Sequence, residues 1–84
     1  MNIEVRLFMR FRKYLPAGAK ENKAIISLKE KATVEDLFKT LGIPENEQRV
    51  LVINGVSQGT SGEGNSQALK DKDLVLIFPP VGGG

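Results

Sequence analysis

Residues 33–44, TVEDLFKTLGIP, decide the fold because they predict a helix with a marked start, one apolar face and a marked end. Thr33 is a good N-cap, and Asp36 three residues later gives a capping-box pattern with Asp in place of Glu. Gly42 stands where a left-handed residue ends a helix, and Pro44 stops its continuation. Between them the spacing i, i+3, i+4, i+7 forms a single apolar stripe: Val34, Leu37, Phe38 and Leu41.

Two strand patterns precede this helix. Residues 3–11 alternate apolar and polar side chains, which predicts a half-buried strand along that whole stretch. The inward face should carry Ile3, Val5, Leu7, Met9 and Phe11. Phe8 is the exception, because it falls on the polar face. If the first and last strands are neighbours, the rings of Phe8 and Phe78 should form an exposed apolar patch where the C-terminal tail begins. Residues 24–29 predict a second strand, which should form a hairpin with the first across a long loop at residues 12–23.

Three further strand patterns follow the helix. Residues 49–53 predict a strand, and the pair Asn54-Gly55 is a strong signal for a type I′ turn into a short returning strand. Residues 59–67 are rich in Gly, Ser, Thr and Asn, which predicts a mobile loop. Residues 74–78 are apolar on both faces, which predicts a strand at the centre of the sheet.

The order strand, strand, helix, strand, short strand, strand predicts an α+β protein with two layers. If the last strand lies parallel to the first, this is the β-grasp, or ubiquitin-like, arrangement. We expect a mixed four- to five-stranded sheet with one main helix packed across one face. Residues 1–78 should form this domain, and residues 79–84 a flexible C-terminal tail. The helix stripe should meet an inward-facing set: Ile3, Val5, Leu7, Ile26, and Ile77 or Val75.

The composition argues against an enzyme with its own active site. The 84 residues are enough for one domain, and they include no Cys, His or Trp. Imidazole bases, thiolate nucleophiles and soft metal ligands are therefore missing together, so we expect no metal site. No stretch approaches the length of a membrane span, and the N-terminus does not look like a signal peptide. We therefore expect a cytoplasmic protein that does not enter membranes.

A basic cluster lies near the N-terminus, at Arg6, Arg10, Arg12 and Lys13. The nearby aromatic rings would fit a nucleic-acid patch. Basic and acidic residues are nearly balanced, with a net charge of +2, which argues against binding to nucleic acid. A solvent-exposed charged face is the simpler interpretation. A third interpretation is a surface that receives an acidic partner.

The sequence ends in a run suited to entering a narrow channel. Pro79 and Pro80 end sheet pairing and favour an extended stem, and Val81 adds one apolar side chain. Gly82, Gly83 and Gly84 then remove every side chain. If Gly84 carries the free carboxylate, attack on ATP would give an acyl-adenylate, and a sulfur donor would convert it to a thiocarboxylate. The alternatives are an idle disordered end and an added tag.

The chain resembles the MoaD group of ubiquitin-like sulfur carriers, the small subunit of molybdopterin synthase. The similarity covers almost the whole length, and the ending Phe-Pro-Pro-Val-x-Gly-Gly is its most specific part. A third glycine at Gly82 and the long loop at residues 59–67 depart from the family pattern. The matching features are the opening strand with Phe8, Thr33-Val34-Glu35-Asp36-Leu37, Val52-Ile53-Asn54-Gly55, Leu69 with Asp71-Lys72-Asp73, and Phe78-Pro79-Pro80-Val81 followed by Gly83-Gly84.

This resemblance implies a non-catalytic carrier subunit of a sulfurtransferase. Gly84 would be adenylated by an E1-like enzyme, which uses the ATP, and this chain would bind no cofactor itself. The thiocarboxylate would then supply sulfur for the dithiolene of molybdopterin, inside the large subunit of molybdopterin synthase. That assembly would be a two-plus-two heterotetramer, with two copies of each subunit. The isolated chain would be a monomer. Gly82 and Gly83 would line the channel, and Phe8 and Phe78 with the Pro79-Pro80-Val81 stem would contact the partners.

Other destinations for the carrier stay open at this point. The same fold and tail would serve thiamine thiazole synthesis, or conjugation to lysines of other proteins. A different class of function is a plain interaction module, in which the tail is idle. Molybdenum and tungsten cofactors are both compatible with the sequence.

Overall fold

The predicted strands form one five-stranded mixed sheet, in the order β2-β1-β5-β3-β4. The computed structural model describes residues 1–60, 62 and 64–80. β1 and β5 are parallel, and the other neighbouring strands are antiparallel. The β-grasp prediction is therefore confirmed, including the central position of the last strand. The elements are β1 (Asn2–Leu7), a 3-10 helix (Met9–Tyr14), β2 (Lys23–Ser27), α1 (Val34–Leu41), β3 (Val50–Ile53), β4 (Val56–Ser57) and β5 (Leu74–Phe78).

Helix α1 begins and ends at the predicted residues. The Thr33 hydroxyl oxygen accepts a hydrogen bond from the Asp36 backbone N–H at 3.3 Å, and the Asp36 carboxylate accepts one from the Thr33 N–H at 2.9 Å. This backbone hydrogen bond from Thr33 is the main reason that the pKa of Asp36 lies below its ordinary value. Gly42 ends the helix at φ 82°, in the left-handed region.

The core lies between α1 and the inner face of the sheet. Three of the four stripe residues of α1 are buried, and Leu41 is partly buried at the margin. The residues expected to meet the helix stripe are buried as well: Ile3, Val5, Leu7, Ile26, Val75 and Ile77. Within the described ranges, no helix is long and apolar enough to cross a bilayer.

The predicted strand over residues 3–11 is wrong beyond Leu7. The backbone leaves the sheet at Phe8 and forms the 3-10 helix. The Phe8 N–H still donates to the carbonyl of Ile77 at 3.0 Å. In a parallel ladder the Phe8 carbonyl would next accept from the residue after Phe78, which is Pro79 and has no N–H. That carbonyl instead accepts from the Phe11 N–H at 3.1 Å, which closes the first turn of the helix.

The described part of the loop at residues 59–67 supports the start of α1. The backbone N–H groups of Val34 and Glu35 donate to the carbonyls of Gln67 and Asn65, at 3.0 and 2.9 Å. These are two of the N–H groups that a helix leaves unpaired in its first turn. Ser61 and Glu63 lie outside the described residues, and the mobility of this loop stays a prediction.

One fully buried arginine joins this loop to the core, and the sequence pattern gave no sign of it. The guanidinium of Arg49 lies 5.2 Å from the centre of the Phe38 ring, and it donates a hydrogen bond to the side-chain oxygen of Asn65. Arginine is almost never fully buried unless its charge is matched by such contacts. Arg49, which directly precedes β3, therefore contacts both the helix and the loop.

The capping geometry predicts a measurable cost for Thr33→Ala. Removing the hydroxyl leaves the Asp36 N–H without its acceptor, so the free energy of unfolding should fall by about 1 kcal/mol. Urea denaturation followed by circular dichroism measures this. Thr40→Ala, on the exposed face of the same helix, is the matched control and should change it by less than about 0.5 kcal/mol. Equal losses in the two variants would contradict the capping role.

Candidate functional site

An apolar groove lies on the outer face of the sheet, where β5 ends. The rings of Phe8 and Phe78 meet edge to face, with their centres 5.9 Å apart and their planes at 87°. Met9 and Leu76 complete the lining, and the four side chains line an open, shallow groove of about 360 Å³. We call these four residues the apolar groove. An aromatic pair with this geometry is a favourable, rigid contact, so the groove has a defined shape.

The parallel pairing of β1 with β5 brings the two phenylalanines together. Leu7 is opposite Ile77 in the register, so the next residues along the two strands, Phe8 and Phe78, lie side by side. Both strands reach this end of the sheet at their carboxyl ends, and residue 79 continues from the edge of the groove. The predicted contact between Phe8 and Phe78 is present in the structure.

Met9 is the member of the groove that sequence reasoning placed wrongly. The alternation assigned it to the core, yet the residue is 76% exposed, the most of any large apolar residue described. Its backbone has φ 55°, in the left-handed region, which costs a residue with a Cβ about 1 kcal/mol. The early end of β1 sets this conformation, and it holds the flexible thioether beside the phenylalanine rings.

A clasp holds the 3-10 helix against the loop that follows α1. The Tyr14 hydroxyl donates to the Glu47 carboxylate at 2.6 Å, and the Arg10 Nε donates to the same carboxylate at 3.3 Å. Arg10 also donates to the carbonyl of Gln48 at 3.0 Å. The hydrogen bond from Tyr14 is the main cause that lowers the pKa of Glu47, and the same bond raises the pKa of Tyr14.

The basic cluster predicted near the N-terminus is divided in the structure. Arg6 pairs with Glu4 at 2.9 Å on the outer face of the sheet, and Arg10 pairs with Glu47 in the clasp. Arg12 and Lys13 are exposed on the 3-10 helix. Two of the four cations are therefore matched by carboxylates, which leaves a smaller basic surface than the sequence suggested.

The structure describes only part of the predicted site. Phe8 and Phe78 meet, and Pro79 and Pro80 follow directly as half-buried residues. Val81, Gly82, Gly83 and Gly84 lie outside the described residues. Sequence reasoning missed two groove residues, Met9 and Leu76. For Leu76 the signal was present, because the apolar outer face of β5 was noted and interpreted only as a sign of a central strand.

The mixed sheet with a central parallel pair, covered by one helix, defines a ubiquitin-like β-grasp protein. The chain belongs to the Mut7-C ubiquitin family, which matches residues 1–81. Together with the structural relatives below, this match makes it a MoaD-type ubiquitin-like protein. No curated protein matches the sequence.

Several solved structures are similar over nearly their whole length. A Pyrococcus furiosus protein described as molybdopterin converting factor subunit 1 is 28% identical, with 95% of this chain and 98% of that chain covered and a TM-score of 0.69. The Haloferax volcanii HVO 2177 protein is 27% identical, with 100% and 87% covered and a TM-score of 0.72. A complex of subunits 1 and 2 of the molybdopterin-converting factor from Helicobacter pylori shares the fold at 24% identity, with 100% of both chains covered and a TM-score of 0.60.

The clasp predicts a pH-dependent effect of Tyr14→Phe. At pH 7 the variant should unfold more easily by about 1 kcal/mol, because Glu47 loses a hydrogen bond to its charged form. Because folding lowers the pKa of Glu47, the contact stabilises the fold at pH values above the ordinary carboxyl pKa, near 4.3. That stabilisation is lost as the pH falls through the lower pKa that Glu47 has in the folded protein. Folding raises the pKa of Tyr14, so its protonated hydroxyl stabilises the fold at lower pH. This stabilisation is lost as the pH rises past about 10 and the hydroxyl ionises. Denaturant melts from pH 3 to pH 10.5 measure the difference.

The difference between the native protein and Tyr14→Phe should therefore be largest between about pH 5 and pH 9 and shrink at both ends. Glu45→Gln changes another carboxylate of the same loop and serves as the control, with no such profile expected. A difference that stays constant across the whole range would contradict the clasp.

Proposed function

We propose that this chain is a sulfur carrier whose Gly84 carboxylate is adenylated and then converted to a thiocarboxylate. The sulfur goes to the dithiolene of molybdopterin, with this chain as the small subunit of molybdopterin synthase. The observation that carries the proposal is the position of the apolar groove at the root of the tail, on a MoaD-type fold.

The chemistry needs little from the carrier itself. An oxygen of the terminal carboxylate attacks the α-phosphorus of ATP and displaces pyrophosphate, which gives the acyl-adenylate. Sulfide then attacks the carbonyl carbon and displaces AMP, which leaves the thiocarboxylate. The partner enzyme supplies the groups that bind ATP and stabilise its charge. The absence of Cys and His from this sequence fits such a division of labour.

The geometry of the described residues supports the delivery of a tail. β5 is held on both sides, by β1 and by β3, so the residue that starts the tail has a fixed position. Six residues follow Phe78, and an extended chain of that length reaches at most about 20 Å. An active site that takes Gly84 must therefore lie within that distance of the apolar groove. The three glycines would let the tail enter a channel too narrow for side chains.

Two proteins are the proposed partners. The first is an E1-like adenylyltransferase, which would activate Gly84. The second is the large subunit of molybdopterin synthase, in a two-plus-two assembly, and the fold likeness to the Helicobacter pylori complex of subunits 1 and 2 supports it. Phe8, Phe78, Pro79, Pro80 and Val81 would contact these partners, with Gly82 and Gly83 in the channel.

The carrier function predicts a defined change in intact mass. We expect incubation with the E1-like adenylyltransferase of the same organism, ATP and sulfide to add the mass of one sulfur in place of one oxygen. The reaction requires Gly84 to be the last residue, and the starting mass verifies this. A variant that lacks Gly84 tests whether this residue carries the sulfur. It should gain none, because its terminal carboxylate would not reach the reacting groups of the enzyme.

A second variant, Lys20→Ala, changes an exposed residue outside the tail and should gain sulfur like the native protein. An unchanged native mass, with an enzyme that is active on another carrier, would contradict the proposal. A gain of mass in the variant without Gly84 would contradict the assignment to that residue.

A further inference from the structure

β2 lies at one edge of the sheet, so one side of its backbone has no neighbouring strand. In an antiparallel pair, successive residues direct their N–H and carbonyl groups alternately toward the partner strand and away from it. Lys23 belongs to the outward set, because its N–H donates to the carbonyl of Lys20 at 3.0 Å and its carbonyl accepts from the Lys20 N–H at 3.2 Å. By this alternation, Ile25 and Ser27 also direct their N–H and carbonyl groups away from β1.

The outward backbone groups of Ile25 and Ser27 have no partner strand. Among the backbone hydrogen bonds that the described residues make outside the strand ladders, none involves either residue. The opposite edge strand, β4, has only two residues, and the carbonyl of Val56 accepts a hydrogen bond from the Gln58 side-chain amide at 3.2 Å. An unpaired strand edge is a template for another strand, and β2 offers the longer edge in this sheet.

The side chain of Ile25 gives this edge an apolar contact point. Ile25 is 57% exposed on the outer face of β2, whereas its neighbours Ala24 and Ile26 are buried on the inner face. Natural proteins protect their free edges with charges or with a covering segment. An exposed apolar residue beside free backbone groups therefore indicates a surface that can bind an extended segment.

A groove at the start of β2 determines which charge such a segment should carry. The groove is open, has a volume of about 530 Å³, and is lined by residues 16–25 together with Arg6. Arg6 and Lys23 share one carboxylate, that of Glu4, at 2.9 and 3.9 Å. Cationic side chains outnumber the carboxylate in the lining, that of Glu21, so the groove has an excess of positive charge. An acidic segment would match this excess.

We propose that the free edge of β2 binds an extended, acidic segment of another protein as a sixth strand of the sheet, antiparallel to β2. Ile25 and Ser27 would each exchange a pair of backbone hydrogen bonds with the segment. The residue opposite Ile25 would be apolar, because the side chains of paired residues lie on the same face. The position beside Lys23 is taken by Lys20, so the segment leaves the edge there. Its next residues would lie over the groove, where Asp or Glu would face Arg6 and Lys23.

A second copy of this chain is a poorer occupant of the edge. Its own β2 would bring another Lys23, with Lys29 shortly after the strand, to a surface that is already positive. Like charges on paired strands are destabilising, and lysines on an edge strand oppose the pairing of two copies.

This inference goes beyond the proposed carrier function and does not depend on it. β1 separates β2 from β5, so the segment would pair with β2 and not with the strand that carries the tail. The chain would therefore hold a partner at one edge of the sheet while Gly84 reacts elsewhere.

Amide hydrogen exchange, measured by NMR on the full chain, tests the proposal. The probe is an acetylated and amidated peptide, Thr-Val-Thr-Val-Asp-Asp-Asp, whose second Val would lie opposite Ile25. In the free chain, the N–H groups of Ile25 and Ser27 should exchange faster than those of Ala24 and Ile26, which are directed toward β1. At a free peptide concentration of about ten times the Kd, exchange at Ile25 and Ser27 should slow about tenfold, since only the unbound fraction exchanges.

Two control peptides separate the backbone contribution from the charge contribution. N-methylation of the second Val removes the N–H that would donate to the carbonyl of Ile25, and binding should weaken about tenfold. Lys in place of the Asp residues should also weaken binding about tenfold at about 50 mM salt, and by less at about 500 mM, where charges are screened.

A pair of chain variants tests the position of the site. Ile25→Thr keeps a β-branched residue that suits a strand, so its thermal midpoint should stay close to that of the native chain. Its affinity for the peptide should fall about fivefold, because an apolar contact is lost. Val56→Thr makes the same kind of change on the opposite edge strand, at a residue that is 61% exposed, and should bind like the native chain.

Slower exchange at Ile25 and Ser27, with weaker binding of both control peptides and of Ile25→Thr, supports the proposal. No slowing at about 2 mM peptide would overturn it. Equal binding of the Asp and Lys peptides would exclude an acidic partner, and equal losses in Ile25→Thr and Val56→Thr would mean adhesion to any sheet edge. Protection of the two N–H groups in the free chain that rises with protein concentration would place a second copy at the edge instead.

Discussion

The structure depends on the parallel pairing of β1 with β5 at the centre of the sheet. It brings the first and last strands of the domain together and directs their carboxyl ends to the same edge. The pairing stops because Pro79 has no N–H to donate to the carbonyl of Phe8. β1 therefore ends at the preceding residue, Leu7. One missing donor thus ends two strands, starts the 3-10 helix at Met9 and opens the apolar groove beside the root of the tail.

The rigid domain and the proposed reacting group lie in different parts of the chain, which suits the proposed carrier function. The core under α1, the capped helix and the buried Arg49 hold the sheet in one shape. In the proposed carrier the reacting atoms belong to Gly84, and Gly82, Gly83 and Gly84 have no side chains that would obstruct a channel. We propose that partners contact the outer face of the sheet at the apolar groove.

Much of the fold could be predicted because its signals are local. The Thr33 cap, the helix stripe and the Asn54-Gly55 turn each depend on residues close in sequence, and each is present in the structure. The end of β1 could not be predicted from its own alternation, because it depends on Pro79, about seventy residues away. Arg49 was missed for the same reason, since its contacts come from α1 and the loop at residues 59–67. In the site, Phe8 and Phe78 were predicted together, whereas Met9 was assigned to the wrong face.

We propose that sulfur on Gly84 becomes the sulfur of a dithiolene. The most direct test loads the chain with isotopically labelled sulfide and then adds the large synthase subunit and a pterin precursor that lacks the dithiolene. The label should appear in the pterin product, while the intact mass of the chain returns to that of the free carboxylate. Label that stays on the chain, or a chain that instead becomes joined to lysines of the large subunit, would contradict it.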